Sequence, residues 1–155
     1  MLELPENIKK FINDGNLVLL KGYLTFLTED QIKKVVEIVK NSSLWEGGIP
    51  FAYTAFGDVL VWNDEFIELY KFKDGVSNVI MSGSEFFFTN IKDTDYQKDF
   101  FEVDLYKEAV SKMDLLDKNE VFGFEPLLAL GGTKKVDYLK KVKFPEYLEL
   151  ICLSS

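Results

Sequence analysis

The first third of the chain carries a helical pattern of apolar positions with a defined start. After Thr28, apolar residues recur at helical spacing at Ile32, Val35, Val36 and Val39. Gln31 follows Thr28 at the distance of a capping box, in which each side chain bonds a backbone N–H group that the helix leaves free. The pattern predicts a helix from Thr28 to about residue 40, and a shorter helix is predicted over residues 5–12.

The middle of the chain has the apolar runs and turn residues of strands. Four runs occupy residues 51–55, 59–62, 66–72 and 76–81. Asp74 and Gly75 separate the last two runs, and this pair favours a tight hairpin because both residue types accept positive φ. Successive hairpins predict an antiparallel meander. Two shorter strands are predicted before it, over residues 17–20 and 23–27.

Helical signals return after the meander. Ser82 and Glu85 have capping-box spacing ahead of Phe86, and apolar residues at 105, 109, 110 and 113 predict a helix. Pro145 suits the start of a last apolar helix. Helices at both ends of an antiparallel sheet predict the α+β class, with a central meander flanked by N-terminal and C-terminal helices. A chain of 155 residues suits one such domain over residues 1–155.

The amino-acid composition excludes several kinds of catalytic and metal-binding site. Histidine is absent and Cys152 is the single cysteine, which excludes a serine or cysteine triad, a disulfide within the chain and a histidine-ligated or cysteine-rich zinc site. Cys152 lies in an apolar segment and is predicted to be buried. No apolar run approaches the roughly 18 residues that cross a bilayer, and no export signal is evident. We therefore expect a cytoplasmic protein that does not bind membranes. Any chemistry would have to come from carboxylates, lysines, tyrosines or a bound metal, and no catalytic residues, cofactor or metal are predicted.

The net charge of −8 indicates which partners the protein can have. Binding to nucleic acid depends on Lys and Arg that neutralise phosphates, so no nucleic-acid partner is expected. An acidic surface instead speeds encounter with a basic protein. The densest acidic run comprises Asp93, Asp95, Asp99, Glu102 and Asp104. It fits a calcium loop poorly, because Lys98 stands where that loop needs glycine. Two interpretations stay open, a solvated face and a partner-docking face.

Aromatic residues in the predicted sheet offer a different kind of site. Tyr53 and Trp62 lie on neighbouring strands, and Asp58 lies in the turn between them. Such residues pack in the core more often than they enclose a ligand. A ligand pocket formed by Tyr53, Asp58 and Trp62 is the alternative, and it would make the protein a small-ligand sensor.

The segment EVFGFEPLLALGG, residues 120–132, resembles a phosphate-binding loop only superficially. A P-loop needs lysine directly after its second glycine, whereas Thr133 follows Gly132, and the three close glycines of a dinucleotide fingerprint are absent. We therefore expect a buried loop or short helix whose glycines turn the backbone. The apolar residues expected to close the core are Phe122, Phe124, Leu127, Leu128 and Leu130.

Two sequence blocks are FAYTAFGDVLVW over residues 51–62 and EVFGFEPLLALGG over residues 120–132, and together they resemble the C-terminal domain of type VI secretion DNase immunity proteins, a family allied to GAD-like domains. In the first block, the matching residues include Phe56, Gly57 and Asp58. In the second block, the matching residues are Glu120, Gly123, Phe124, Pro126, Leu128, Ala129, Leu130, Gly131 and Gly132. The second block departs from the family at Asn119, Val121, Phe122 and Leu127, where the family has aspartate, cysteine, tyrosine and alanine.

This resemblance covers residues 44–153 and leaves residues 1–43 largely outside it. It implies a non-enzymatic immunity protein that neutralises a cognate toxin, possibly a nuclease, by direct binding. A nuclease has a basic substrate groove, so the acidic run from Asp93 to Asp104 is the candidate surface for it. The matching motif residues are expected to have a structural role.

Overall fold

The computed structural model describes residues 3–15 and 17–154. The helices are α1 (Glu6–Asn13), α2 (Glu29–Val39), α3 (Phe87–Asn90), α4 (Thr94–Phe100), α5 (Val103–Met113) and α6 (Glu146–Leu153). The strands are β1 (Val18–Leu19), β2 (Leu24–Phe26), β3 (Ile49–Thr54), β4 (Val59–Asn63), β5 (Phe66–Lys71), β6 (Val76–Ser82), β7 (Glu120–Phe124) and β8 (Leu139–Lys143). The α+β class and the single domain that the sequence predicts are confirmed.

The central sheet has six strands in the order β1-β2-β3-β4-β5-β6, and every neighbouring pair is antiparallel. The predicted meander is therefore confirmed. Helix α2 forms the connection between β2 and β3, and its capping box at Thr28 and Gln31 is present. The turn between β5 and β6 is a 3-10 turn over Phe72–Asp74, and there Gly75 alone adopts a positive φ.

Both faces of the sheet are packed. Helix α2 lies against β3 and α6 on one face, where the Tyr53 ring stacks on Phe144 with centroids 3.9 Å apart. On the other face, Phe26 contacts Phe87 of α3 at 6.3 Å between ring centroids. Because apolar side chains cover both faces of the sheet, most residues of β3 and β4 and half of those of β5 are buried.

The second sheet is the hairpin of β7 and β8, and it corrects the expectation for residues 120–132. The first part of that segment is a strand, because the Phe122 N–H donates to the Ala55 carbonyl at 2.7 Å and β7 pairs with β8 over its whole length. Phe122 and Phe124 are buried as predicted, but Leu130 is 67% exposed and does not close the core. The pairing strand is some 20 residues away, so the local sequence did not show it.

The capping box predicted at Ser82 and Glu85 is wrong. Ser82 ends β6 and pairs with Phe66, and α3 begins after Phe86 without a side-chain cap. Sheet pairing therefore prevails over the local capping signal. Cys152 is buried, as predicted. Within the described part of the chain, no helix has the length and apolar character needed to span a bilayer.

Candidate functional site

The candidate docking residues lie on and beside α4 and α5. Asp93 precedes α4, and its carboxylate accepts the Tyr96 N–H at 3.0 Å. Asp95 and Asp99 are four residues apart and share one face of α4, and Asp104 lies in the first turn of α5. All four aspartates are exposed. We call Asp93, Asp95, Asp99 and Asp104 the acidic surface.

Glu102 belongs to a different environment from its four neighbours in the sequence. Its side chain is 14% exposed and contacts the ammonium group of Lys73 at 2.7 Å. Its backbone N–H donates to the Tyr23 hydroxyl at 2.9 Å, which holds the segment between α4 and α5 against the core. Glu102 is therefore not a freely available docking carboxylate, and the acidic surface is defined without it.

Lys73 lies at the centre of a buried ion cluster that the sequence did not reveal. Its Nζ is 2.9 and 3.0 Å from the two carboxylate oxygens of Asp58 and 2.9 Å from Asp74. The side chains of Lys73 and Asp58 are each 1% exposed. On the outer side, Lys134 contacts Asp74 at 3.0 Å and Glu102 at 2.5 Å. We call Asp58, Lys73, Asp74, Glu102 and Lys134 the lysine cluster.

Tight turns bring Asp58 and Lys73 together. The Thr54 hydroxyl accepts the N–H groups of Phe56 and Asp58, and Gly57 between them has φ +82°. This fixes the turn between β3 and β4 and directs Asp58 inward. Lys73 lies in the turn between β5 and β6. Asp58 of the first sequence block thus forms a buried ion pair with Lys73.

The charges of the lysine cluster do not balance, because three carboxylates meet two ammonium groups. Burial raises the pKa of Asp58 to about 6, although Lys73 acts in the opposite direction. Burial also disfavours the charged form of Lys73, but the carboxylates around it prevail and raise its pKa above the usual value. A proton taken up near pH 6 therefore goes to Asp58 and neutralises the cluster.

We expect the protein to lose stability above about pH 10. Burial raises the pKa of Tyr96 to about 12 and that of Tyr23 beyond its usual range, and the pKa of Lys73 is raised as well. Groups with a raised folded-state pKa stabilise the fold below their unfolded values, about 10 for tyrosine and 10.4 for lysine, and this contribution is lost as the pH rises further.

Thermal unfolding followed by circular dichroism between pH 7 and pH 11 measures this effect. The chain has no histidine, so the melting temperature should change little between about pH 7 and 8. It should then fall steeply above about pH 10. A melting temperature that stays constant up to pH 11 contradicts the expectation.

Gly123 makes room for Tyr147 of α6, because a Cβ atom on Gly123 would lie 2.7 Å from Cε1 of Tyr147. A Cβ atom on Gly57 would lie 3.4 Å from Cδ2 of the same ring, which is an ordinary contact, and the φ of +82° is what favours glycine there. The Tyr147 hydroxyl accepts the Phe124 N–H at 2.9 Å. Gly132 is equally constrained, because its Cβ would lie 2.0 Å from the Pro126 carbonyl oxygen. These residues of the two blocks therefore have structural contacts.

The three residues of the alternative pocket do not line one cavity. Tyr53 stacks on Phe144 and lines a cleft at the β1 end of the sheet, whereas Asp58 belongs to the lysine cluster. Trp62 pairs with Ile49 at the opposite end of the β3–β4 hairpin, while Tyr53 pairs with Val59 near its turn. Among residues 3–15 and 17–154, no group of three or more His, Cys, Asp or Glu side chains is arranged to hold a metal ion.

Comparison with known proteins supports the resemblance over the second half of the chain. Residues 82–152 match the family described as T6SS immunity protein Tdi1, C-terminal. This segment carries the second sequence block, so the family resemblance is confirmed there, whereas the first block lies before it. It also carries the acidic surface. No curated protein sequence matches the chain significantly.

The fold is similar to a solved structure, the crystal structure of Atu4351 from Agrobacterium tumefaciens. The two structures superpose with a TM-score of 0.71 at 14% sequence identity, over 98% of this chain and 76% of that one. At this identity the likeness concerns the fold alone. Because it covers 98% of this chain, it includes most of the N-terminal part that the sequence resemblance left largely outside.

Proposed function

We propose that this protein is an immunity protein of a type VI secretion system that binds and neutralises a cognate toxin in the cytoplasm, without a chemical step of its own. The observation that carries this proposal is the match of residues 82–152 to the Tdi1 immunity-protein family. The lysine cluster offers no obvious reactive group, because its buried carboxylate and ammonium group satisfy each other. Binding is the activity that remains.

The acidic surface is the proposed docking site. Its aspartates lie within the family-matched segment and project from two consecutive helices, on a chain with a net charge of −8. A toxin that cleaves nucleic acid presents a basic groove to phosphates, and carboxylates at the same positions would block it. Opposite charges on two partners accelerate their encounter, and salt screens the effect.

Reversing three charges of the acidic surface should weaken toxin binding. The variant is Asp95→Lys/Asp99→Lys/Asp104→Lys, which retains Asp93 because its carboxylate caps α4 and retains Glu102 because it belongs to the lysine cluster. The partner to test is the product of the neighbouring coding sequence, which we expect to be a toxin. We expect the association rate at low salt to fall by roughly tenfold or more and to become nearly independent of salt. Stopped-flow association and protection of toxin-expressing cells measure the effect.

The matched control reverses three exposed carboxylates elsewhere, in the variant Asp14→Lys/Glu37→Lys/Glu85→Lys. It changes the net charge by the same amount, so it should preserve protection and most of the association rate. If both variants protect cells as well as the native protein does, the docking surface lies elsewhere. If the native protein does not bind the adjacent toxin, the immunity proposal itself fails.

A further inference from the structure

A cleft of about 510 Å³ opens at the β1 end of the sheet, separate from the acidic surface and the lysine cluster. Its floor is a row of three neighbours from adjacent strands, Val18, Thr25 and Tyr53, which the strand register aligns. Leu17 and Leu116 add apolar walls. Ligand sites are commonly clefts of about 300–1,000 Å³ with mainly apolar linings and a few polar groups. We call this the apolar cleft.

A second cleft of about 370 Å³ adjoins it, and its lining includes Lys34, Lys118 and Lys143. Gln31, Lys118 and Asn119 line both cavities, so the two lie side by side. The Gln31 amide donates to the Asn119 side-chain oxygen at 3.2 Å and holds the boundary between them. We call the second cavity the basic cleft.

The lining of the basic cleft has a net positive charge, whereas the protein as a whole is acidic. Three lysines and one carboxylate, Glu146, line it, whereas the chain carries a net charge of −8. Within the described residues, none of these lysines forms an ion pair, in contrast to Lys73, Lys134 and Lys140. The carboxylates of Asp117 and Glu120 line the apolar cleft, and Glu120 accepts the Asp117 N–H at 2.8 Å. An anionic group is therefore favoured in the basic cleft and disfavoured in the apolar cleft.

We propose that the two clefts form one binding site for a small amphiphilic anion, with its apolar body on the floor of Val18, Thr25 and Tyr53 and its carboxylate or phosphate among Lys34, Lys118 and Lys143. Burial of the apolar body on this floor stabilises the complex, because apolar surface leaves water. The three lysines stabilise the negative charge of the head group, because none of them forms an ion pair with a carboxylate of the described residues. The site is independent of the acidic surface, so it goes beyond the proposed function.

The native protein should bind decanoate and decyl phosphate in preference to decanol. The reporter is the fluorescence of 8-anilinonaphthalene-1-sulfonate, an aromatic anion, in competition titrations of the full chain. The variant Lys34→Gln/Lys118→Gln/Lys143→Gln should bind both anions roughly tenfold more weakly, which corresponds to about 1.4 kcal/mol, and should bind decanol as before. A difference between decanoate and decyl phosphate identifies which head group the site prefers.

Two matched controls test the position of the site. Lys33→Gln/Lys92→Gln/Lys98→Gln removes the same charge from exposed positions outside both clefts and should leave binding unchanged. Val18→Glu places a carboxylate on the floor and should abolish binding, whereas Val79→Glu, at a valine of equal 55% exposure, should not. Circular dichroism verifies folding. The proposal is overturned if the native protein binds neither anion saturably, or if the control variants weaken binding as much as the cleft variants.

Discussion

Replacing Lys73 by methionine should lower the free energy of unfolding by about 3–5 kcal/mol, the usual loss when one partner of a buried ion pair is removed. The substitution leaves Asp58, which is 1% exposed, without the ammonium group 2.9 Å away. Asp74 and Glu102 lose the same partner, but both keep Lys134. The cost therefore falls mainly on Asp58. Urea denaturation at pH 8 measures it.

The pH dependence of this loss gives a second readout. Burial already raises the pKa of Asp58 to about 6, and removal of Lys73 raises it further because the attraction that opposed burial is gone. A protonated Asp58 costs less to bury, so the variant should be closer to the native protein at pH 5 than at pH 8. Asp58→Asn in the Lys73→Met background should likewise recover part of the stability.

Lys40→Met is the matched control for Lys73→Met. It breaks an ion pair with Glu37 of similar length, 3.1 Å, between side chains that are mostly exposed. Exposed pairs contribute little because water solvates both charges. If Lys73→Met costs no more than Lys40→Met, the lysine cluster does not stabilise the fold.

Replacing Gly123 by alanine should lower the free energy of unfolding by about 2–3 kcal/mol. In a strand this change would otherwise be favourable, because glycine loses more backbone freedom on folding. Here the added Cβ would lie 2.7 Å from Tyr147 Cε1 and 2.7 Å from Val142 Cγ2. These side chains belong to α6 and β8, so neither retreats without disturbing its own element. Displacing Tyr147 also weakens its contact with the Phe124 N–H.

The Tyr147→Leu background tests the cause of the Gly123 effect. A smaller side chain removes part of the obstacle, so Gly123→Ala should cost less in this background than in the native protein, which a double-mutant cycle measures. Gly131→Ala is the comparison within the same sequence block. No atom lies within 4 Å of its added Cβ, and its cost is the backbone strain of φ +94°, roughly 1–2 kcal/mol. Equal costs for Gly123→Ala in both backgrounds would contradict the steric explanation.

The sequence alone determined most of the local structure. The capping box at Thr28 and the apolar spacing after it predicted α2, and the runs from residue 51 predicted β3 to β6, because these signals act over a few residues. The β7–β8 hairpin was missed for the opposite reason. Its strands pair across some 20 residues, and neither segment has a turn signal of a tight hairpin beside it.

The family resemblance was also available from the sequence, and it is confirmed over residues 82–152. The contacts that the motif residues make could not be predicted from the sequence. Gly123 was expected to turn the backbone, whereas its lack of a side chain admits Tyr147 into the core. Asp58 was weighed as a ligand residue, whereas it is buried against Lys73. In each case the deciding partner is far along the chain.

The sequence by itself determined the α+β class, the order of most elements, the absence of histidine chemistry and the acidic run on α4 and α5. Only the tertiary structure decided which charges are buried and which are exposed. The lysine cluster joins residues as far apart in the chain as Asp58 and Lys134. Likewise, one cleft is lined by Lys34, Lys118 and Lys143. Local sequence specifies backbone conformation, whereas the surroundings of a charged side chain depend on segments that folding brings together.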